Sequence, residues 1–300
     1  MKDDTEYFSG IKEPHSVITP IQSGTTFPEF LKEKIDKYTP YIKDFCDIVA
    51  VSSSSEEVLE RIRDQATKMD KEMRMALLKI FRRCVSPVCD TEATKKIQKI
   101  PTSVFIENYG HTFKPIETLK KQFLSLPKEE LSALSVLLGE YDTRGEQGYA
   151  LTDLFFTWFE DTFKDMTLEG PRGAGQDVQL SSVFPDYTGY YPCDFVIRKK
   201  SSGDVLAIGF ARYDSTRGGA QSDDRTGGNS DKVSKAMVFS EKSGRNFKLI
   251  FLADGPGLVH RDTWAEACAL DRSWDGKVRV STLITAPDRI TREWLLSNTG

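Results

Sequence analysis

Between residues 209 and 229 the chain reads GFARYDSTRGGAQSDDRTGGN, and Arg217, Gln221, Asp223, Asp224, Arg225 and Asn229 fall within that stretch. These side chains supply the vocabulary of base reading in a DNA major groove. Arginine bonds guanine in bidentate fashion, glutamine and asparagine pair with adenine, and a carboxylate accepts from cytosine. Gly218, Gly219, Gly227 and Gly228 permit close backbone approach. A strand-to-helix connection ordinarily runs to only a few residues. A polar, glycine-rich segment of this length is therefore either shaped around a ligand or a solvated face on which Asp and Arg neutralise one another. The first reading makes residues 213–229 a DNA-recognition loop beside an active site.

The flanking elements must hold that loop in place. Apolar, β-branched runs on either side of KKSSGD, in CDFVIRKKSSGDVLAIGFARY, predict an antiparallel hairpin. A helix over 151–166 precedes it. After the loop the periodicity predicts a helix over 229–244, a buried strand over 247–254, a helix over 262–270, a strand over 277–286 and a last helix over 288–298. This order predicts an α/β fold, a mixed central sheet with an antiparallel hairpin flanked by helices. Residues 27–145 carry mostly helical periodicity, with SSSSEE ahead of VLERI as an N-terminal cap and Pro87 and Pro127 as stops. DTRGEQG, residues 142–148, reads as a hinge. The expected division is a mainly helical region over 1–147 and a second domain over 148–300.

The chain carries a net charge of −4, which argues against a protein that coats nucleic acid by bulk electrostatics. A local basic cleft remains compatible with it, because residues 170–250 hold twelve basic side chains against nine acidic ones. Five cysteines, without a close CxxC pair, predict reduced structural thiols rather than a zinc site. No stretch is apolar enough to cross a bilayer. The opening MKDDTEYFSGIKEP is acidic where a secretory signal is basic, so the expected location is cytoplasmic with no membrane partner.

LEGPRGAG, YYPCDFVI and the 209–229 stretch, in this order of elements, resemble blocks of the PD-(D/E)xK nucleases, in particular Type II restriction endonucleases. The resemblance covers roughly 150–300. It implies a restriction-endonuclease-like core, a Mg2+ cofactor, double-stranded DNA as substrate, a homodimer and a cognate DNA methyltransferase. It also implies an aspartate at the start of the second core strand, an acidic-x-lysine on the next, and at times a glutamate from the preceding helix. Asp194 matches the first, with Cys193 interrupting the usual Pro-Asp pair after Pro192, and Glu169 matches the glutamate. The acidic-x-lysine position falls near Gly209, Phe210 and Ala211, which hold neither carboxylate nor amine. A two-residue slide makes Arg212 the cation in place of lysine and Asp214 a second metal-binding carboxylate.

Hydrolysis of a phosphodiester needs charge neutralisation at the phosphate and hydroxide at neutral pH, and magnesium held by oxygen ligands supplies both. Magnesium keeps several waters, so Asp194 with either Glu169 or Asp214 is a sufficient ligand set. Asp194, Arg212 and Glu169 are accordingly the expected catalytic residues. Arg172, in GPRGAG, is an expected phosphate contact, since that segment lacks the lysine-serine ending of a P-loop. Lys199 and Lys200 form either a solvated hairpin tip or a further phosphate contact. Three functional classes fit these residues: a Mg2+-dependent sequence-specific DNA endonuclease, a non-catalytic DNA-binding module on the same fold, and a small-molecule enzyme with 213–229 as its lid.

Overall fold

The computed structural model describes residues 6–22, 24–140, 142, 145–215, 221–271 and 273–297, with the side chains of 221–227 outside that description. The chain divides into two compact units, one of residues 24–144 and one formed by 1–23 with 145–300. The first residues, expected with the helical half, thus belong to the unit that carries the sheet.

The 24–144 unit is helical: α1 (Glu29–Val51), α2 (Ser55–Arg63), α3 (Lys71–Cys84), α4 (Thr91–Thr94), α5 (Thr102–Tyr109), α6 (Ile116–Phe123) and α7 (Lys128–Gly139). Tyr38, Ile42, Phe45 and Val49 recur along one face of α1, where they join Leu59, Ile62, Leu77 and Phe81 in one core. Ser54, Asp70 and Asp90 cap α2, α3 and α4 by accepting from the backbone N–H three residues on, as the SSSSEE stretch predicts for α2. Arg63 is almost fully buried, and its guanidinium donates to the carbonyls of Thr94 and Ile100 and to Thr102 Oγ1, tying α2 to the segments that follow.

The second unit runs α8 (Glu146–Thr162), β1 (Met166–Glu169), β2 (Val178–Gln179), α9 (Leu180–Val183), β3 (Pro192–Cys193), β4 (Phe195–Lys199), β5 (Val205–Tyr213), α10 (Gln221–Ser243), β6 (Lys248–Asp254), α11 (Arg261–Asp271), β7 (Val278–Ser281), α12 (Ala286–Arg289) and α13 (Arg292–Leu296). Five strands form one mixed sheet in the order β1-β4-β5-β6-β7, antiparallel through β5 and parallel beyond it. The α/β class and the hairpin are as the sequence predicts. Strands β2 and β3 make a separate antiparallel pair.

Side-chain alternation along the strands gives the sheet two apolar faces. Val196, Ile208, Phe210, Leu249 and Phe251 face Val233 and Ala236 of α10 and Ala267 and Leu270 of α11. Phe195, Ile197, Ala207, Ile250 and Leu252 face Phe155, Phe156 and Phe159 of α8 together with Ile290 and Trp294. The result is a helix–sheet–helix sandwich.

Three expectations need correction. Helix α8 ends at Thr162 instead of 166, and a strand, β1, which was not predicted, begins at Met166. Helix α10 begins at Gln221 instead of 229, so much of the expected 213–229 loop is helical. Strand β7 stops at Ser281 rather than 286. There the Thr282 N–H donates to Thr285 Oγ1 at 2.9 Å and the Leu283 N–H to Asp254 Oδ2 at 2.9 Å, and these bonds replace the ladder. Among the described residues no helix is long and apolar enough to cross a membrane.

Candidate active site

Asp194 lies at the junction of β3 and β4. Its backbone N–H donates to the Gly209 carbonyl at 2.9 Å, and its Oδ2 accepts from the Ala211 N–H at 2.7 Å. The carboxylate is therefore fixed across the hairpin, on the face of the sheet that α10 covers. Burial raises its pKa; the nearby Asp177 carboxylate raises it further, while the Ala211 N–H and Lys232 lower it.

Neither Asp177 nor Lys232 is among the site residues the sequence suggested. The β2–β3 register pairs Val178 with Cys193, so Asp177 and Asp194 each adjoin that two-residue pair, and the Asp177 charge reaches Asp194. Lys232 comes from α10, with its Nζ 3.9 Å from the centroid of the Phe210 ring. Burial lowers its pKa, opposed by the negative charges of Asp194 and Asp177, and the Arg212 charge lowers it further. Tyr191 holds that turn of α10 by donating its hydroxyl to the Lys232 carbonyl at 2.9 Å. Two carboxylates and one ammonium thus sense one another's charge near the open end of the hairpin. The signals for both were faint. Lys232 sits beside the core positions Val233 and Ala236 of a helix, and Asp177 precedes a strand of only two residues.

Gly209 faces the opposite layer. A Cβ there would lie 2.0 Å from Phe195 Cζ, and the Phe195 ring is fully buried 5.1 Å from that of Phe155. An aromatic ring fills the space beside Gly209, and Lys232 of α10 stands over the other face of the same strand, against Phe210.

The remaining expected residues lie elsewhere. The Glu169 carboxylate accepts from Arg198 Nε at 3.0 Å, a diagonal cross-strand ion pair that draws it along β4 away from Asp194. Asp214 is buried and accepts from Arg212 Nε at 2.7 Å. Its main chain is held at the ends of two parallel strands, by bonds to the Asp254 carbonyl and the Gly257 N–H. Arg212 shares the face of Phe210, so its charge stays near Lys232 while its Nε is engaged by Asp214. Neither Glu169 nor Asp214 is brought to Asp194, and Asp177 is.

Arg172 is turned toward α8. It donates to Asp153 Oδ1 at 2.8 Å and to Glu160 Oε2, and its guanidinium stacks on Phe156. Those two carboxylates pair with it along α8. Lys199 and Lys200 occupy the far tip of the hairpin, and Lys200 Nζ donates to the Lys164 carbonyl at 2.7 Å. Five strand residues separate that tip from Asp194, about 16 Å. Asn229 lies within α10 and donates to Glu266 Oε1 of α11 at 3.2 Å. Arg217 lies outside the described residues, as do the side chains of Gln221, Asp223, Asp224 and Arg225.

Among the described residues no group of three or more His, Cys, Asp and Glu side chains could hold a metal ion. The two-carboxylate set of Asp194 and Asp177 suits magnesium, which takes one or two carboxylates and keeps its waters. A divalent cation would favour the charged form of Asp194, which burial and, to a smaller extent, the Asp177 charge disfavour. No family model and no curated protein matches the chain.

Proposed function

We propose that the protein is a Mg2+-dependent, sequence-specific endonuclease of double-stranded DNA, with Asp194, Asp177 and Lys232 at its centre. The observation that carries the reading is the proximity of two carboxylates and a half-buried ammonium, felt as charge effects, at the mouth of the β4–β5 hairpin. The order α8, antiparallel β1-β4-β5, α10, β6, α11, β7 supports it, being the order the resemblance to Type II restriction endonucleases rests on.

Asp194 and Asp177 would hold the ion, which when bound polarises the scissile phosphate and acidifies a water. The Ala211 N–H keeps the Asp194 carboxylate in one orientation, so no reorganisation is needed as the phosphate arrives. The Lys232 ammonium, held against Phe210, would donate a hydrogen bond to a phosphate oxygen and offset its charge. Arg212 adds positive charge at the same face, its Nε fixed by Asp214. Base reading falls to the 213–229 segment, including Arg217 and Arg225. Two-fold pairing of the chain would let one active site address each strand of a palindrome.

The test is incubation of purified protein with phage DNA, with and without millimolar magnesium, beside Asp194→Ala. Discrete bands that need both magnesium and Asp194 support the reading. DNA left intact across the divalent metals, yet shifted on a gel, marks a binding module on the same fold instead.

A further inference from the structure

The turn of α10 that carries Lys232 leads into a cleft of about 830 Å³ between residues 186–190 and the rest of the helix. Tyr187 and Phe239 make its floor, with rings 5.0 Å apart and edge to face. Lys235, Val238 and Lys242 line the helix side. Gly189, at φ +130°, turns the chain so that Tyr190 stands out at the rim, 77% exposed, while Tyr191 inserts and bonds α10. An aromatic side chain that exposed beside a cleft has nothing of this unit stacked upon it.

A line of packed rings runs from the cleft to the candidate centre. Tyr187 packs on Tyr191 at 5.8 Å, Tyr191 on Phe210 at 5.9 Å, and Lys232 lies over Phe210. Lys235 and Lys242 are seven residues apart, two helical turns on one face, about 10 Å along the axis. Asp231 partners Lys235 at 2.6 Å, and Arg245 forms a bidentate pair with Asp186 at the other wall. The wall along α10 thus presents cations above an aromatic floor, the combination that holds an unpaired nucleic-acid strand through its phosphates and base faces. A cleft of this volume takes a drug-sized group, one or two nucleotides and not a duplex.

We propose that this cleft binds a single nucleic-acid strand leaving the Asp194 centre, with one unstacked base on Tyr190 and phosphates on Lys235 and Lys242. The inference rests on the nuclease reading and adds where the strand runs. Its test is fluorescence anisotropy of the full chain, without divalent metal, on a labelled oligothymidylate of roughly 16 nucleotides and on a duplex of equal length. Tyr190→Ala should weaken oligothymidylate binding by about 5- to 150-fold, the worth of one stacked base, with duplex binding little changed and Tyr190→Phe close to wild type. Lys235→Ala with Lys242→Ala should flatten the dependence of log K on log salt by roughly 0.7 per lysine. Equal oligothymidylate affinity in wild type and Tyr190→Ala, with duplex bound and cut normally, overturns the cleft and leaves the nuclease reading standing. A chain that neither binds nor cuts any DNA overturns both. Selective binding of peptide in the cleft, with no oligothymidylate bound, also overturns it.

Discussion

Asp194 and Lys232 are shifted in opposite directions by the same cause, burial, so each is held in a setting that disfavours its own charge. For Asp194 the folded pKa lies above the unfolded one, so the folded state binds the proton more tightly. Ionisation as pH rises from the unfolded value through the folded one therefore removes stability. Asp194→Asn keeps an acceptor for the Ala211 N–H and removes the charge. It should abolish magnesium-dependent cleavage while raising stability at pH 7 by about 0.5–2 kcal/mol, as function-impairing substitutions at strained sites do; denaturant midpoints would check it. Lys248 offers a second titration. It is buried, donates to the Ser297 carbonyl at 2.6 Å, and burial pushes its pKa down to about 8. Because the folded value lies below the unfolded one, stability rises as pH climbs from about 8 toward the ordinary lysine value. Lys248→Met should remove that part of the slope, read as the difference between the two proteins' urea midpoints at pH 7.5 and 9.5.

At the scale of elements, the sheet leaves no room for a side chain at residue 209 of β5. The Phe195 ring occupies the volume over Gly209 and is itself wedged among the aromatic rings of α8. Gly209→Ala should therefore cost about 1–3 kcal/mol as overpacking, measured by urea denaturation, and Gly209→Asp should cost more without creating a metal ligand. The hairpin was legible because β-branched runs flank KKSSGD, and so was β6 because it is continuously apolar. Asp194 was legible from its place at the mouth of that hairpin. Strand β1 was not, since MTLE is too short to show a period. The start of α10 was masked by Gly227 and Gly228, which read as breakers although the helix continues through them. Lys232 was missed because lysine beside a helix core position is usually a solvated stem, and only the fold brings it over Phe210.

The whole chain is two units, and the one of residues 24–144 is inserted in the other. The N-terminal segment completes the sheet unit: the Thr19 N–H donates to the fully buried Asp254 at 2.8 Å, and the Tyr213 hydroxyl donates to the Thr19 carbonyl at 2.9 Å. Contacts across so many residues leave no local pattern, which is why the first residues read as part of the helical half. The inserted unit holds its own core, from Tyr38 on α1 to Leu138 on α7. Expressed alone, residues 24–144 should give a helical circular dichroism spectrum and a cooperative melt; a featureless, non-cooperative melt would show that this core is insufficient.

The most direct test of the central claim is the single-turnover rate of DNA cleavage in magnesium by wild type and Lys232→Met, with binding followed on the same DNA. The account predicts magnesium-dependent cutting that slows by about 10²–10³-fold in the variant, the worth of one preorganised charge at a reacting phosphate, with DNA affinity retained. Wild-type protein that leaves DNA uncut, or Lys232→Met cutting at the wild-type rate, would contradict it.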